Sequence, residues 1–181
     1  KIVCADCNNG WMCSLEGEVQ PILTDLIEFN QRILSAQDQA VLSFWVQKTM
    51  LMINESIPNN LKITQDIYSD IYKNQSATKK FLVNIGWRMK YKGISGEPIA
   101  SYTIQQISSV DVPCDILQEV NRQKMAGGMV WKMVFAIGPV VFEMAGHNMN
   151  VTLEINTNSR VFTPIRPYMR NIKWPLEWPI E

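Results

Sequence analysis

The amino-acid sequence predicts an α+β fold, with helices at the amino-terminal end followed by an antiparallel sheet. Apolar residues recur at helical spacing between Leu15 and Tyr72, and from Phe81 onward the pattern changes to period two and to β-branched and aromatic side chains. The two regimes are segregated along the chain, which is the order of an α+β domain and not of a βαβ repeat. The expected organisation is a segment over residues 1–30, holding a cysteine cluster and its helix, and an α+β domain over residues 31–181 with an extended tail rich in Pro and Trp.

Taken in order, Leu15, Val19, Ile22 or Leu23, and Leu26 mark a first helix. Ser14 is its expected amino-terminal cap, and Pro21 is expected to split it into two turns or bend it. Ser35-Ala36-Gln37-Asp38 resembles a capping box, with Asp where Glu is commoner, and opens a long helix through about Glu55. Val41, Leu42, Phe44, Trp45, Val46, Met50, Leu51 and Ile53 leave it little polar surface, so it is expected at the centre of the domain. Residues 64 to about 74 give a third helix, with Ile67, Tyr68, Ile71 and Tyr72 on one face.

Phe81 to Tyr91 then predicts a strand, and Ile99 to Val110 its partner across a turn at residues 93–98. Asp115 caps a short helix to Arg122. Met129–Ile137 and Val140–Ala145 form a hairpin turned at Gly138-Pro139, and Val151–Ile155 is the last strand. The Gly127-Gly128 pair before the hairpin is expected to turn the chain. Beyond residue 155, Pro164, Pro167, Pro175 and Pro179 argue against regular structure, so the tail is expected to wrap extended over the body. Trp174 and Trp178 within it either close the core or form an exposed docking strip.

Composition narrows the class. The chain has 181 residues, 46% of them hydrophobic, enough for a proper core. Its four cysteines, three of them within the first thirteen residues, suit a reducing compartment with a metal site better than a disulfide framework. There is no run of about twenty apolar residues to span a bilayer and no signal-peptide pattern; a cytoplasmic location away from membranes is expected. No glycine-rich phosphate loop is present, and no nucleophile with a neighbouring base can be named.

The chemistry concentrates in KIVCADCNNGWMC. Cys4 and Cys7 stand in C-x-x-C spacing, in which a tight turn aims two thiolates at one soft metal ion such as zinc. A structural zinc takes about four ligands, so the spacing supplies half a site. Cys13 is a doubtful third ligand; Cys114 and the single histidine, His147, are the remaining thiol and imidazole, and neither has a partner's spacing. The alternative is a reduced pair without metal. Because the chain opens on Lys1 with the motif almost at once, it is expected to be a piece whose completing residues lie upstream. Glu16 and Glu18 adjoin the knuckle, but two carboxylates two apart on a helix diverge and make a poor hard-cation site.

The run Cys4-Ala5-Asp6-Cys7-Asn8-Asn9-Gly10-Trp11-Met12, continued by Leu15-Glu16 and Pro21, resembles the second half of an HNH-type, ββα-metal nuclease motif found in bacterial and phage proteins. The likeness covers about twenty residues; Cys13 departs from the small polar residue expected there. It implies that Cys4 and Cys7 are structural zinc ligands, that the segment leads from a strand into the finger's helix, and that Asn8 braces the loop positioning a catalytic histidine. HNH chemistry further requires that histidine as general base and a hard divalent ion such as magnesium. No histidine lies near the motif, and His147 is expected in a solvated turn. The chain is therefore expected to be inactive alone, the carboxy-terminal portion of a nucleic-acid-related protein, with magnesium or another divalent ion relevant only to a longer parent nuclease. Its partners on this view are DNA and another chain that supplies or covers the missing half of the motif.

Charge bears on that view. Lys and Arg total 17, as do Asp and Glu, so no net positive charge favours phosphate. Residues 1–38 hold six acids and two bases, leaving 15 bases to 11 acids in the remainder. Arg88, Lys90 and Lys92 alternate along one strand face and are the candidate nucleic-acid contacts, set against a merely solvated outer face. Lys79 and Lys80 lie nearby, and Arg160, Arg166, Arg170 and Lys173 punctuate the tail. The competing function is a noncatalytic interaction module, in which the knuckle is a structural staple and the sheet or tail docks another protein.

Overall fold

The computed structural model describes residues 4–58, 61, 63–88, 100–107, 119, 122, 129–149, 162–166 and 171–176. The chain begins with α1 (Ala5–Asn9) and α2 (Trp11–Ile27), followed by β1 (Arg32–Leu34), α3 (Ala36–Ser56) and α4 (Gln65–Asn74). Strands β2 (Phe81–Trp87), β3 (Ala100–Ile107), β4 (Val130–Ile137), β5 (Val140–His147), β6 (Thr163–Arg166) and β7 (Ile172–Trp174) follow among the described residues. All strand pairs are antiparallel: β1 pairs with β7, and a five-stranded sheet runs β3-β4-β5-β2-β6. The α+β class follows, helices first.

The long central helix starts as the sequence requires. Ser35 accepts the Asp38 backbone N–H at 3.1 Å, and the Asp38 carboxylate accepts the Ser35 N–H at 2.9 Å, a reciprocal capping box. Trp45 packs against Phe135 and Phe142 of the sheet, ring centroids 6.0 and 5.9 Å apart. Several of its polar residues do not face solvent. Gln39, Ser43, Gln47 and Asn54 are all buried, and the first three form an i, i+4 row. Each is used to hold backbone elsewhere: Gln39 donates to the Leu34 carbonyl, Ser43 to that of Ile165, and Gln47 and Asn54 each clasp both backbone groups of one residue, Thr78 and Leu61 respectively. Buried amides without such partners would be costly, so these bonds make the helix's interior position tolerable.

In front of it, α2 buries Leu15, Val19, Ile22, Leu23 and Leu26 in one continuous core shared with α3 and the sheet. Two expectations are corrected here. Ser14 is not the cap: the helix begins at Trp11 after Gly10, and Ser14 Oγ donates back to the Gly10 carbonyl at 3.4 Å. Pro21 does not divide the helix, which runs unbroken through it. The backbone bond that proline removes is the one to Gly17, which is exposed, so water can satisfy that carbonyl. In α4, Ile67 and Ile71 are buried and Tyr68 half-buried, whereas Tyr72 is exposed.

The sheet corrects a third expectation. β2 and β3 are not partners: β2 lies between β5 and β6, while β3 pairs with β4. Val83, Asn84, Ile85 and Gly86 are buried in succession, so β2 points side chains of both pleat faces into covered surroundings and takes a central place. The β4–β5 hairpin forms as expected around Gly138-Pro139, with Gly138 at φ 56°, a left-handed conformation suited to glycine.

The tail is also more regular than its prolines suggest. β6 holds Pro164 opposite Asn84, where the register of the β2–β6 pairing shifts, and lies at the sheet's edge, a site where a missing N–H is tolerated. β7 brings Trp174 into the core, 2% exposed, so Trp174 closes the interior and is no docking strip. His147 is the last residue of β5 and half-buried, not a solvated turn residue. Of the expected Asp115–Arg122 helix, Glu119 and Arg122 are described; both are helical and joined by an ion pair at 2.6 Å. The expected strand Val151–Ile155, the Gly127-Gly128 turn and Trp178 lie outside the described residues.

Candidate metal knuckle

Cys4 caps the short helix α1, and Cys7 lies one turn along it, so a single turn of backbone brings the two side chains to one side. Their sulfurs stand 2.8 Å apart, and the Cys7 backbone N–H reaches the Cys4 sulfur at 3.2 Å. Cys4 is exposed and Cys7 partly so; both are free thiols. Hydrogen bonding with the Cys7 side chain, then with its backbone N–H, lowers the pKa of Cys4 below the ordinary thiol value. The same thiol bond raises that of Cys7, with burial and the neighbouring Cys4 charge acting in the same direction.

The turn into α2 requires Gly10. A Cβ there would lie 2.6 Å from the Asp6 carbonyl oxygen, to which the Gly10 N–H donates at 2.9 Å. Asn8 is exposed within α1, its backbone N–H bonded to the Cys4 carbonyl at 3.1 Å and its side chain to Asn9 at 3.4 Å. It steadies the knuckle's own turn. Next comes Trp11, stacked on Phe44 of α3 with centroids 5.5 Å apart and planes 11° from parallel. Through that stack and the α2–α3 packing, the knuckle is fixed to the body.

The two sulfurs fit a thiophilic ion as a bidentate pair. Two thiolates at about 2.3 Å from a tetrahedral zinc are roughly 3.8 Å apart, so loading opens the pair by about 1 Å, within reach of small side-chain rotations. Among the described residues no third histidine, cysteine or carboxylate joins them. Cys13 is exposed and lines a separate cleft with Glu16, Trp45 and Thr49. Glu16 is committed elsewhere, accepting the Trp45 indole N–H at 2.8 Å and pairing with Lys48. Cys114 lies outside the described residues. His147 accepts the Met149 N–H on Nδ1 at 3.3 Å, and burial lowers its pKa against the opposing effect of that bond.

The candidate nucleic-acid contacts are less open. Arg88 is half-buried, with Nε directed to the Gly138 carbonyl at 3.3 Å, while Lys90 and Lys92 lie outside the described residues. Arg160 and Arg170 do too. Arg32, Lys48, Lys80, Arg122 and Lys132 each pair with a carboxylate. Lys73, Lys79 and Lys173 are exposed. What the sequence did not reveal is a cleft of about 260 Å³ beside Cys7, walled by Trp11, Met12, Leu51, Met52, Tyr68 and Tyr72. Its walls come from α2, α3 and α4, and only the i, i+4 spacing of Tyr68 and Tyr72 signalled it. No helix among the described residues is long and apolar enough to cross a membrane.

Compared with protein-family models, curated proteins and solved structures, the chain matches none.

Proposed function

We propose that this chain is the body of an HNH-like, nucleic-acid-related protein, anchored by one half of a structural zinc knuckle. Cys4 and Cys7 are the two thiolate ligands on this reading, and α2 is the helix that follows the knuckle in a ββα-metal finger. The observation that carries it is the convergence of the Cys4 and Cys7 sulfurs, 2.8 Å apart, just ahead of a helix, α2, that packs into the core. Zinc bound there would neutralise the two thiolates and fix the end of α2. The remaining ligands and the general-base histidine come from another segment or chain, and DNA is the partner class.

This chain by itself is then not a nuclease, because no described side chain combines a hard-cation site with a histidine base. The test pairs elemental analysis with a plasmid assay. Zinc should co-purify with the full chain and be lost from C4S and C7S, and plasmid DNA should stay intact with magnesium present. A zinc-free protein, or cleavage that survives C4S, would overturn the proposal. The second reading, an interaction module with a structural knuckle, draws on the apolar cleft beside Cys7, where Tyr72 is 57% exposed.

A further inference from the structure

We infer that the cleft beside Cys7 is a binding site for a small quaternary ammonium compound, held among the rings of Trp11, Tyr68 and Tyr72 and balanced by the Glu55 carboxylate. The inference goes beyond the zinc reading and does not depend on it, because Cys7 borders the cleft and supplies nothing to the cation.

Three helices build the cleft. Lys48, Leu51, Met52 and Glu55 follow one face of α3 at i, i+3, i+4 and i+7, Tyr68 and Tyr72 stand i, i+4 apart on α4, and Trp11 opens α2. Two of the rings are held in place. Tyr68 donates its O–H to the Glu55 carboxylate at 2.6 Å and accepts the Asn54 amide N–H at 3.5 Å, while Trp11 is stacked on Phe44. Tyr72 is 57% exposed, so aromatic surface stands open to solvent on this wall.

The charges select the sign of the occupant. Lys48 is paired with Glu16, which cancels it. Glu55 is the one carboxylate among the described residues of the cleft wall, and it enters no ion pair among the described residues. An unbalanced carboxylate beside three aromatic rings complements an organic cation, since ring quadrupoles attract positive charge and alkylated ammonium groups are the ions such cages take. The polarizable side chain of Met52 and the apolar Leu51 suit the alkyl substituents. A bare divalent metal ion would need six or more oxygen ligands, which this wall does not offer. The volume of about 260 Å³ lies just under the range of roughly 300–1,000 Å³ usual for ligand sites, which fits a small molecule.

The test titrates the full chain with choline and, separately, with its neutral carbon isostere, in which a tert-butyl group replaces the trimethylammonium group. Signals of Tyr68 and Tyr72 are followed by nuclear magnetic resonance. Choline should shift both residues and bind roughly tenfold more tightly than the isostere. Glu55 and Tyr72 are exposed, so their substitution leaves the core intact. Y72L should weaken choline binding roughly tenfold, whereas Y72F keeps a ring and should bind choline nearly as the wild type does. E55Q retains an acceptor for the Tyr68 O–H but loses the charge, and should weaken choline while leaving the isostere unchanged. Equal affinity for choline and its isostere, shifts confined to residues outside the cleft, or the same loss in Y72F as in Y72L would overturn the inference and leave the zinc reading standing.

Discussion

The indole N–H of Trp174 donates to the backbone carbonyl of Leu26 at 3.1 Å, joining residues 148 positions apart. Leu26 lies in the last turn of α2, where carbonyls have no full set of intrahelical partners; its carbonyl also takes the Phe29 N–H at 3.4 Å, and the tail adds a second donor from the far end of the chain. Phe29, held at φ 57° just past the helix, stacks near the same indole at 6.2 Å and meets Trp87 edge-on at 5.2 Å. The tail is thus a clamp on the knuckle's helix. W174A should cost about 3–5 kcal/mol through lost packing, and W174F about 1 kcal/mol through the lost bond. Equilibrium denaturant unfolding distinguishes them; equal, small losses would mean that the clamp contributes little.

Gln47 makes a comparable claim from within α3. Its amide accepts the Thr78 N–H at 2.8 Å and donates to the Thr78 carbonyl at 3.1 Å, with both residues buried. Q47A should leave these backbone groups without that partner and destabilise by about 1–3 kcal/mol for each group left unsatisfied. Hydrogen exchange at the Thr78 amide should accelerate more than exchange in β5. Unchanged protection would show that the clasp is dispensable.

Gly146 tests packing on the sheet. A Cβ there would meet Phe81 and Trp131 ring atoms at 2.7 Å, because those rings close over it in an edge-on pair with centroids 5.0 Å apart. Rigid rings cannot yield cheaply, so G146A should lower stability by about 1–3 kcal/mol. Thermal unfolding would measure it, and an unchanged midpoint would place the rings elsewhere.

Acid should destabilise the fold in two steps. Burial lowers the folded pKa of His147 below its ordinary value of 6.5, so stability present above that value declines as pH falls through it, when the unfolded state binds the proton more readily. Hydrogen bonds from Arg32 and then Asn30 lower Asp25 below 3.8; at Asp38, burial raises the pKa but is outweighed by bonds from Arg32 and Ser35. Their contribution is complete above about 3.8 and is lost as pH falls through the depressed folded values. H147Q should flatten the upper step only, and R32Q the lower step only. A single step unaffected by both would contradict these assignments.

The parts of this fold that were legible in the sequence are those decided by neighbours along the chain. Ser35 and Asp38 announce α3, and Gly138-Pro139 between two alternating apolar runs announces the β4–β5 hairpin. Pairing decided by distant contacts was not legible. Phe81 and Ala100 begin successive described strands, yet β2 needs covered neighbours on both edges and finds them in β5 and β6. Gln39, Ser43 and Gln47 look like ordinary polar helix residues, and only their distant backbone partners explain their burial. In the knuckle, the spacing of Cys4 and Cys7 announced the convergence of their sulfurs, and nothing local announced that Trp11 would stack on Phe44 of α3.

The central claim, that Cys4 and Cys7 are the paired ligands of a metal knuckle, is tested most directly by cobalt(II) absorption of the full chain. The wild type and C13S should both develop thiolate-to-cobalt charge-transfer absorption, and C4S and C7S should each lose most of it. Absorption that persists in C4S and C7S, or that vanishes in C13S, would contradict the claim.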